Sequence, residues 1–193
     1  MLLKLFIISL LSIAAFSSGI YVNGGRLQTV DDWKCLRQTS PDFAIIAMDL
    51  RTQNWTQFAE SHQNALTAGY KHIHVSIASW QPLQPGSLPK SFSGRVWITG
   101  NAGNPYSALV SMVEDIASQG YNAGILDGNL FYYSKGDEVP SVVSSLPFAF
   151  NTNTKFLPWI PFGGWQCPAL NIAKPAEQCG QIVEVVSQNP TCV

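Results

Sequence analysis

Segments patterned like strands alternate with segments patterned like helices along most of this chain, and this alternation restricts the possible folds most strongly. The strand-like runs are rich in apolar and β-branched residues and cover residues 20–23, 42–50, 71–78, 95–100, 123–127 and 146–151. Apolar residues recur at helical spacing over residues 56–67, 104–120 and 140–145. Thr29 and Asp32 form a helix-capping pattern, which predicts a further helix with Trp33 and Leu36 on its buried face. Gly69 suits the carboxyl end of the helix over residues 56–67.

Repeated strand–helix–strand units predict an α/β protein with a central parallel sheet. Residues 42–50 are apolar without alternation, as in a parallel strand that is buried on both faces. Residues 79–94 are rich in Pro, Gly and Ser, so one crossover should lack a helix, and helical periodicity almost disappears after residue 151. A single modified TIM-like β/α barrel, with early β/α units and plain strands toward the C-terminus, accounts for both features. An open doubly wound sheet is the alternative, although no Gly-rich phosphate loop follows the first strand.

The first residues have the pattern of a secretory signal peptide. Lys4 precedes an almost unbroken apolar run over residues 5–16, and the small residues Ser17, Ser18 and Gly19 follow it. The run is shorter than the ~20 residues that span a bilayer, so a retained membrane anchor is the weaker interpretation. We therefore expect residues 1–18 to be removed and residues 19–193 to form one domain outside the cytosol, secreted or in a secretory or lysosomal lumen.

The chain has four cysteines, Cys35, Cys167, Cys179 and Cys192. An even number in an oxidising compartment predicts two disulfides, but the sequence leaves their pairing open. No two cysteines have CxxC spacing, and the histidines are distant from them, so we expect neither a metal site nor a cofactor.

Charged residues make up only 12% of the chain, and its formal net charge is −1. No basic stripe is present, so nucleic acid is not an expected partner. The chain contains the N-glycosylation sequon Asn54-Trp55-Thr56, which is consistent with secretion.

In a β/α barrel, functional side chains lie at the carboxyl ends of the strands. The predicted strand ends carry mostly neutral residues: Asn23, Asp49, Trp80, Thr99, Asn101, Asp127 and Asn151. No nucleophile stands in a recognisable arrangement with a base, which argues against acyl transfer. Asp49 and Asp127 are the acids at these ends, and they fit either a capping role or a displaced acid/base pair.

Three stretches point to a particular family through their order and spacing: residues 20–25 (IYVNGG) with 30–36 and 43–46, residues 95–101 (RVWITGN), and residues 159–165 (WIPFGGW) with Cys179-Gly180 and Val183-Glu184. They resemble the glycoside hydrolase family 25 lysozymes of the Chalaropsis type, particularly the secreted amoebal and nematode branch. The resemblance runs the length of the mature chain. It implies a barrel that ends in plain strands, and metal-free hydrolysis of the β-1,4 bond between N-acetylmuramic acid and N-acetylglucosamine in peptidoglycan.

The chain departs from the family where the family has its acids. The family's first strand ends in aspartate, where this chain has Asn23, and the Asp-x-Glu pair of its fourth strand falls on Thr99 and Asn101. Residues 95–103 contain no acid, so a small shift of the alignment would not restore one. These three residues can be vestiges of a catalytic site, or a turn residue and loop caps. Glu184 aligns with a late family aspartate.

Aromatic side chains offer a second route to sugar recognition, because their faces stack on sugar rings. Trp80, Tyr132, Tyr133 and Trp165 are the candidate glycan contacts. Trp97 stands in the middle of a strand and is predicted to be a core residue. His62, His72 and His74 are expected to have core or surface roles.

These observations predict a secreted, lysozyme-like protein that is catalytically impaired or inactive and binds bacterial wall glycan. The resemblance implies a role in innate defence. An active lysozyme that uses Asp49, Asp127 or Glu184 is one alternative. A structural or signalling protein without affinity for glycans is another.

Overall fold

The computed structural model describes residues 17–48, 54–78, 82–99, 106–126, 140–151 and 170–188. The strands in these ranges are β1 (Ser18–Asn23), β2 (Phe43–Ala47), β3 (His72–Ala78), β4 (Arg95–Thr99), β5 (Asn122–Leu126), β6 (Phe148–Asn151), β7 (Leu170–Gln178) and β8 (Gln181–Gln188). The helices are α1 (Val30–Arg37), α2 (Trp55–Thr67), α3 (Tyr106–Ser118) and α4 (Ser141–Ser144). Residues 82–94, the described part of the crossover from β3 to β4, contain no helix, as predicted.

All eight strands form one closed barrel in chain order. Neighbouring strands from β1 to β7 pair in parallel, whereas β8 runs antiparallel to both β7 and β1. Closure is made by residues 18–22 of β1 against residues 183–187 of β8. The protein is therefore an α/β protein built on a mixed barrel in which strands predominate, and the alternative of an open doubly wound sheet is excluded.

Successive strand residues point alternately into the barrel and toward the helices, which produces two layers of core. The inner layer consists of Phe43, Ile45, Trp97, Leu126, Ala149, Leu170, Ile172 and Val186, with Tyr21 packed against them. The outer layer joins strand residues such as Ile46 and Ile98 to the helix residues Leu36, Phe58 and Ile116. Trp97 is 3% exposed, which confirms its predicted place in the core. The side chains of the inner layer contact one another, so they form a hydrophobic core inside the barrel.

The predicted signals at helix ends are present. Thr29 and Asp32 form a reciprocal capping box at the start of α1, and Trp33 and Leu36 are fully buried. Gly69, just beyond α2, has a φ of +97°, which is a conformation that glycine adopts without steric cost.

β7 and β8 form a hairpin whose tip is attached to α1. The two tip residues, Cys179 and Gly180, have φ values of 55° and 69°, as a type I′ turn requires. A disulfide joins Cys179 to Cys35, with the Cα atoms 6.1 Å apart and a sequence separation of 144 residues. One disulfide is thus observed, whereas Cys167 and Cys192 lie outside the described residues.

β1 begins at Ser18, whose backbone N–H donates to the Asp42 carboxylate at 2.7 Å. The predicted leader boundary after residue 18 therefore falls inside β1, while the apolar run of residues 5–16 lies outside the described residues.

Candidate functional site

The carboxyl ends of the six strands from β1 to β6 point to one end of the barrel, here called the mouth. Its described strand-end residues are Asn23, Ala47, Ala78, Thr99, Leu126 and Asn151. Both Asn23 and Thr99, two of the predicted site residues, lie at this end. The other predicted residues of the mouth lie outside the described residues: Asp49, Trp80, Asn101, Asp127, Tyr132, Tyr133 and Trp165.

Asn23 is exposed at the end of β1 and shapes the turn that follows. Its Oδ1 accepts a hydrogen bond from the Gly25 backbone N–H at 2.9 Å. The next residue, Gly24, donates its backbone N–H to the Ala47 carbonyl, and a Cβ on Gly24 would lie 2.0 Å from that oxygen. The Asn-Gly-Gly sequence therefore allows the chain to cross closely over the end of β2, and the side chain of Asn23 serves this turn.

Thr99 also uses its side chain locally. Its Oγ1 donates to the carbonyl oxygen of Ile77 on the neighbouring strand β3 at 3.0 Å. Neither the Asn23 amide nor the Thr99 hydroxyl can give up a proton near neutral pH. These two positions therefore supply neutral hydrogen-bonding groups to the mouth, without a titrating acid.

A buried polar network holds the β1–α1 turn against α2. Gln28 is 1% exposed, and its Nε2 donates to the Asn23 carbonyl at 3.0 Å. The Ser61 hydroxyl donates to Gln28 Oε1 at 2.7 Å, and Asn64 Nδ2 donates to the Gln28 carbonyl at 2.9 Å. Sequence reasoning missed this network because a glutamine in a loop carries no pattern that marks it as buried.

A second polar group lies inside the barrel, at the level of Tyr21. The Tyr21 hydroxyl and Ser76 Oγ are 3.2 Å apart, and Ser76 is buried. Glu184 stands directly opposite Tyr21 in the β1–β8 register, and it shares the inward face of β8 with Val186. Glu184 is partly buried.

The other acids of the described ranges lie on helices, before β2 or on the exposed part of the hairpin: Asp31, Asp32, Asp42, Glu60, Glu114, Asp115 and Glu177. Of the fallback acids named from the sequence, Glu184 is thus the one that the structure describes, and it faces the barrel interior.

The amino end of the barrel contains a cationic and aromatic cluster. The Arg95 backbone N–H donates to His74 Nδ1 at 2.8 Å, and the Arg95 guanidinium lies 5.6 Å from the centre of the Trp97 ring. Burial, reinforced by the charges of Arg95 and His72, lowers the pKa of His74 to about 4. His74 is therefore neutral at physiological pH, and it is partly buried, with its ring in contact with the core residues Phe43 and Trp97.

The remaining histidines also have core or surface roles. His62 is 2% exposed and packs between Phe58 and Phe92, and burial lowers its pKa. His72 is exposed at the start of β3. In the described ranges, no group of three or more His, Cys, Asp or Glu residues could hold a metal ion.

Comparison of the chain with protein-family models, with curated proteins and with solved structures found no match. No helix in the described part of the chain is long and apolar enough to cross a membrane.

Proposed function

We propose that this chain is a secreted, lysozyme-like protein of glycoside hydrolase family 25 architecture that has lost most or all hydrolytic activity and binds bacterial wall glycan. The observation that carries the proposal is the combination of barrel layout and mouth chemistry. Seven strands pair in parallel, an antiparallel β8 closes the barrel, and the mouth ends of β1 and β4 carry Asn23 and Thr99. This layout agrees with the modified TIM-like barrel that the family resemblance implies.

The loss of activity follows from the chemistry of glycoside hydrolysis. Most glycosidases need one carboxyl group to protonate the leaving oxygen and a second to act as a base or nucleophile. Asn23 and Thr99 stand where the resemblance implies two of the acids, and their side chains are hydrogen-bonded to nearby backbone groups. General acid–base catalysis contributes roughly 10²–10⁴ in rate, and this contribution is absent where the acids are replaced.

Retention of glycan binding is consistent with the same substitutions. Amides and hydroxyls hydrogen-bond to neutral sugars, and their desolvation costs less than that of a carboxylate. The candidate stacking residues Trp80, Tyr132, Tyr133 and Trp165 would add aromatic faces to this polar surface. The Cys35–Cys179 disulfide supports the secretory part of the proposal, because such bonds persist in oxidising compartments.

A pull-down on insoluble peptidoglycan tests the binding. We expect the purified protein to be retained on peptidoglycan, and a Tyr132→Ala/Tyr133→Ala variant to be retained less. Val142→Ala, on the exposed side of α4, is the control that should leave retention unchanged. Absence of retention for the unaltered protein would contradict the binding proposal and favour a structural or signalling role.

A wall-clearing assay tests the proposed loss of activity, and Glu184 is the acid that is substituted in the test. We expect clearing far below that of an active lysozyme, with no further decrease in Glu184→Gln. The rival hypothesis of a lysozyme with displaced acids predicts substantial clearing that is abolished by Glu184→Gln, Asp49→Asn or Asp127→Asn.

A further inference from the structure

The sequon Asn54-Trp55-Thr56 lies at the start of α2, where it is accessible to modification. Asn54 is the residue that caps α2, Trp55 is the first helical residue, and both Asn54 and Thr56 are exposed. We propose that Asn54 carries an N-linked glycan, attached through its side-chain nitrogen.

Among the described residues, the hydrogen bonding of the Asn54 side chain uses its oxygen and not the atom that a glycan requires. Its Oδ1 accepts from the Gln57 backbone N–H at 3.0 Å, which is the helix-capping contact. The carboxamide nitrogen Nδ2 is the other branch of the same planar group, and no residue in the described ranges accepts a hydrogen bond from it. The oxygen therefore caps the helix, and the exposed side chain carries its nitrogen on the other branch, which the capping contact does not use.

The chemistry is compatible with this arrangement. The donor is an oligosaccharide linked through N-acetylglucosamine to a lipid pyrophosphate, as in the lumen of a eukaryotic secretory pathway. Nδ2 forms a bond to the anomeric carbon and loses one proton, while the bond from that carbon to the pyrophosphate oxygen breaks and the lipid pyrophosphate leaves with the electron pair. The product retains Oδ1 as an acceptor, so the cap on α2 persists after modification.

The position of Asn54 places the glycan near the mouth of the barrel. Gln57, in the first turn of α2, donates its side-chain Nε2 to the Gly24 carbonyl in the turn that follows Asn23. A glycan on Asn54 therefore leaves the protein at the same end as the candidate site. This inference rests on the secretory part of the proposed function, and it is independent of whether the mouth binds wall glycan.

The test is secretion of the full chain from a eukaryotic host, followed by treatment with a peptide-N-glycosidase. We expect the secreted protein to lose mass on treatment and Asn54 to be converted to aspartate, as read by peptide mass spectrometry. Thr56→Ser retains the sequon and should behave like the unaltered protein. Thr56→Ala retains the Asn54 cap but should be secreted at the deglycosylated mass without treatment.

Asn54→Asp is the second matched variant, because an aspartate oxygen also caps a helix while its carboxyl group cannot accept the glycan. We expect this variant to fold and to run at the deglycosylated mass. An unmodified chain in the medium would contradict the proposed glycan at Asn54 but not the proposed secretion. An unmodified chain that is retained in the cells would contradict both proposals. A mass loss that persists in Asn54→Asp assigns the modification elsewhere and also overturns the inference.

Discussion

The side chains of Asn23 and Thr99 at the mouth form hydrogen bonds with nearby backbone groups. The Asn23 carboxamide holds the turn after β1, and the Thr99 hydroxyl joins the end of β4 to β3. A carboxylate at position 23 could accept the same hydrogen bond from Gly25, whereas a carboxylate at position 99 could not donate to the Ile77 carbonyl. The two positions therefore differ in what an acid would change, since the Asn23 contact uses the side chain as an acceptor and the Thr99 contact uses it as a donor.

His74 should make the stability of the protein depend on pH. Its pKa is lowered to about 4 in the folded state, from about 6.5 in an unfolded chain. The unfolded chain therefore binds more protons between these values, and the free energy of unfolding should decrease as the pH falls from about 6.5 to about 4. The contribution of this residue is a loss of about 3 kcal/mol, measurable by urea unfolding at a series of pH values.

The matched variant for this prediction is His74→Asn, whose Oδ1 can accept from the Arg95 backbone N–H but does not titrate. It should be less stable at pH 8 because it loses ring contacts with Phe43 and Trp97. Its stability should then decrease less on acidification than that of the unaltered protein. If the free energy of unfolding varied with pH in the same way in the two proteins, His74 would not be the cause of the pH dependence.

The β7–β8 hairpin depends on a covalent tie as well as on strand pairing. Its tip is joined to α1 by the Cys35–Cys179 disulfide, and Thr39 Oγ1 donates to Gln178 Oε1 at 2.8 Å beside it. Because the bond spans 144 residues, the loop-entropy estimate of its contribution to stability is at the upper end of the usual range.

Removal of this bond should destabilise the protein by up to about 5 kcal/mol. The variant Cys35→Ala/Cys179→Asn is suitable, because Asn-Gly is a preferred type I′ turn and leaves the hairpin tip intact. Urea unfolding of the variant and of the unaltered protein, with and without reductant, measures the difference in their free energies of unfolding. Equal stability of the two proteins under oxidising conditions would contradict a role for the bond.

The start of β1 predicts where a leader should be cleaved. Ser18 pairs with Ser187 of β8, and its backbone N–H contacts the Asp42 carboxylate, so cleavage after residue 18 would shorten the closing strand. Cleavage between Ser17 and Ser18 preserves β1 and has the small residues Ala15 and Ser17 on its amino side, as signal peptidases require.

N-terminal sequencing of secreted protein should therefore begin at Ser18. The new α-ammonium group would lie beside Asp42 and form an ion pair. Asp42→Asn should lower the stability of the cleaved protein by about 1 kcal/mol, because it weakens the charge-assisted contact. A mature chain that begins at Gly19 or later would contradict the prediction, because it lacks the first residue of β1.

At the scale of the whole barrel, the proposed function predicts that acids introduced at the mouth should produce wall-clearing activity. The variant Asn23→Asp/Thr99→Asp/Asn101→Glu restores the acids that the family resemblance implies, with residue 101 as the general acid. Relative to the unaltered protein, we expect wall clearing to rise by roughly 10²-fold or more. The control is Asn23→Asp/Thr99→Asp/Asn101→Gln, which lacks the general acid. Equal, low clearing by both variants in folded form would contradict this explanation.

The elements of the fold were largely predictable from local patterns. Residues 43–47 are apolar on both faces, and Thr29 with Asp32 marks the start of α1, so both elements follow from nearby residues. β7 and β8 were predicted only as plain strands without bounds. Their pattern is weak because residues 173–177 of β7 are exposed, and a register shift between Ile172 and Pro175 breaks the alternation.

The candidate site was less predictable than the fold. The sequence placed Asn23 and Thr99 at strand ends, but gave no indication that Gln28, Ser61 and Asn64 form a buried network behind the first turn. Likewise, nothing local pairs Tyr21 with Ser76, which stands 55 residues away. Such groups meet because strands far apart in the chain become neighbours in the barrel.

Local sequence was sufficient for the strand and helix identities, the capped helices and the uncharged residues at two strand ends, since each depends on residues within a few positions. Barrel closure by β8 against β1, the pairing of Cys35 with Cys179, the inward position of Glu184 and the lowered pKa of His74 required the folded chain. These properties depend on register and burial, which arise when distant strands share a core and exclude water from it.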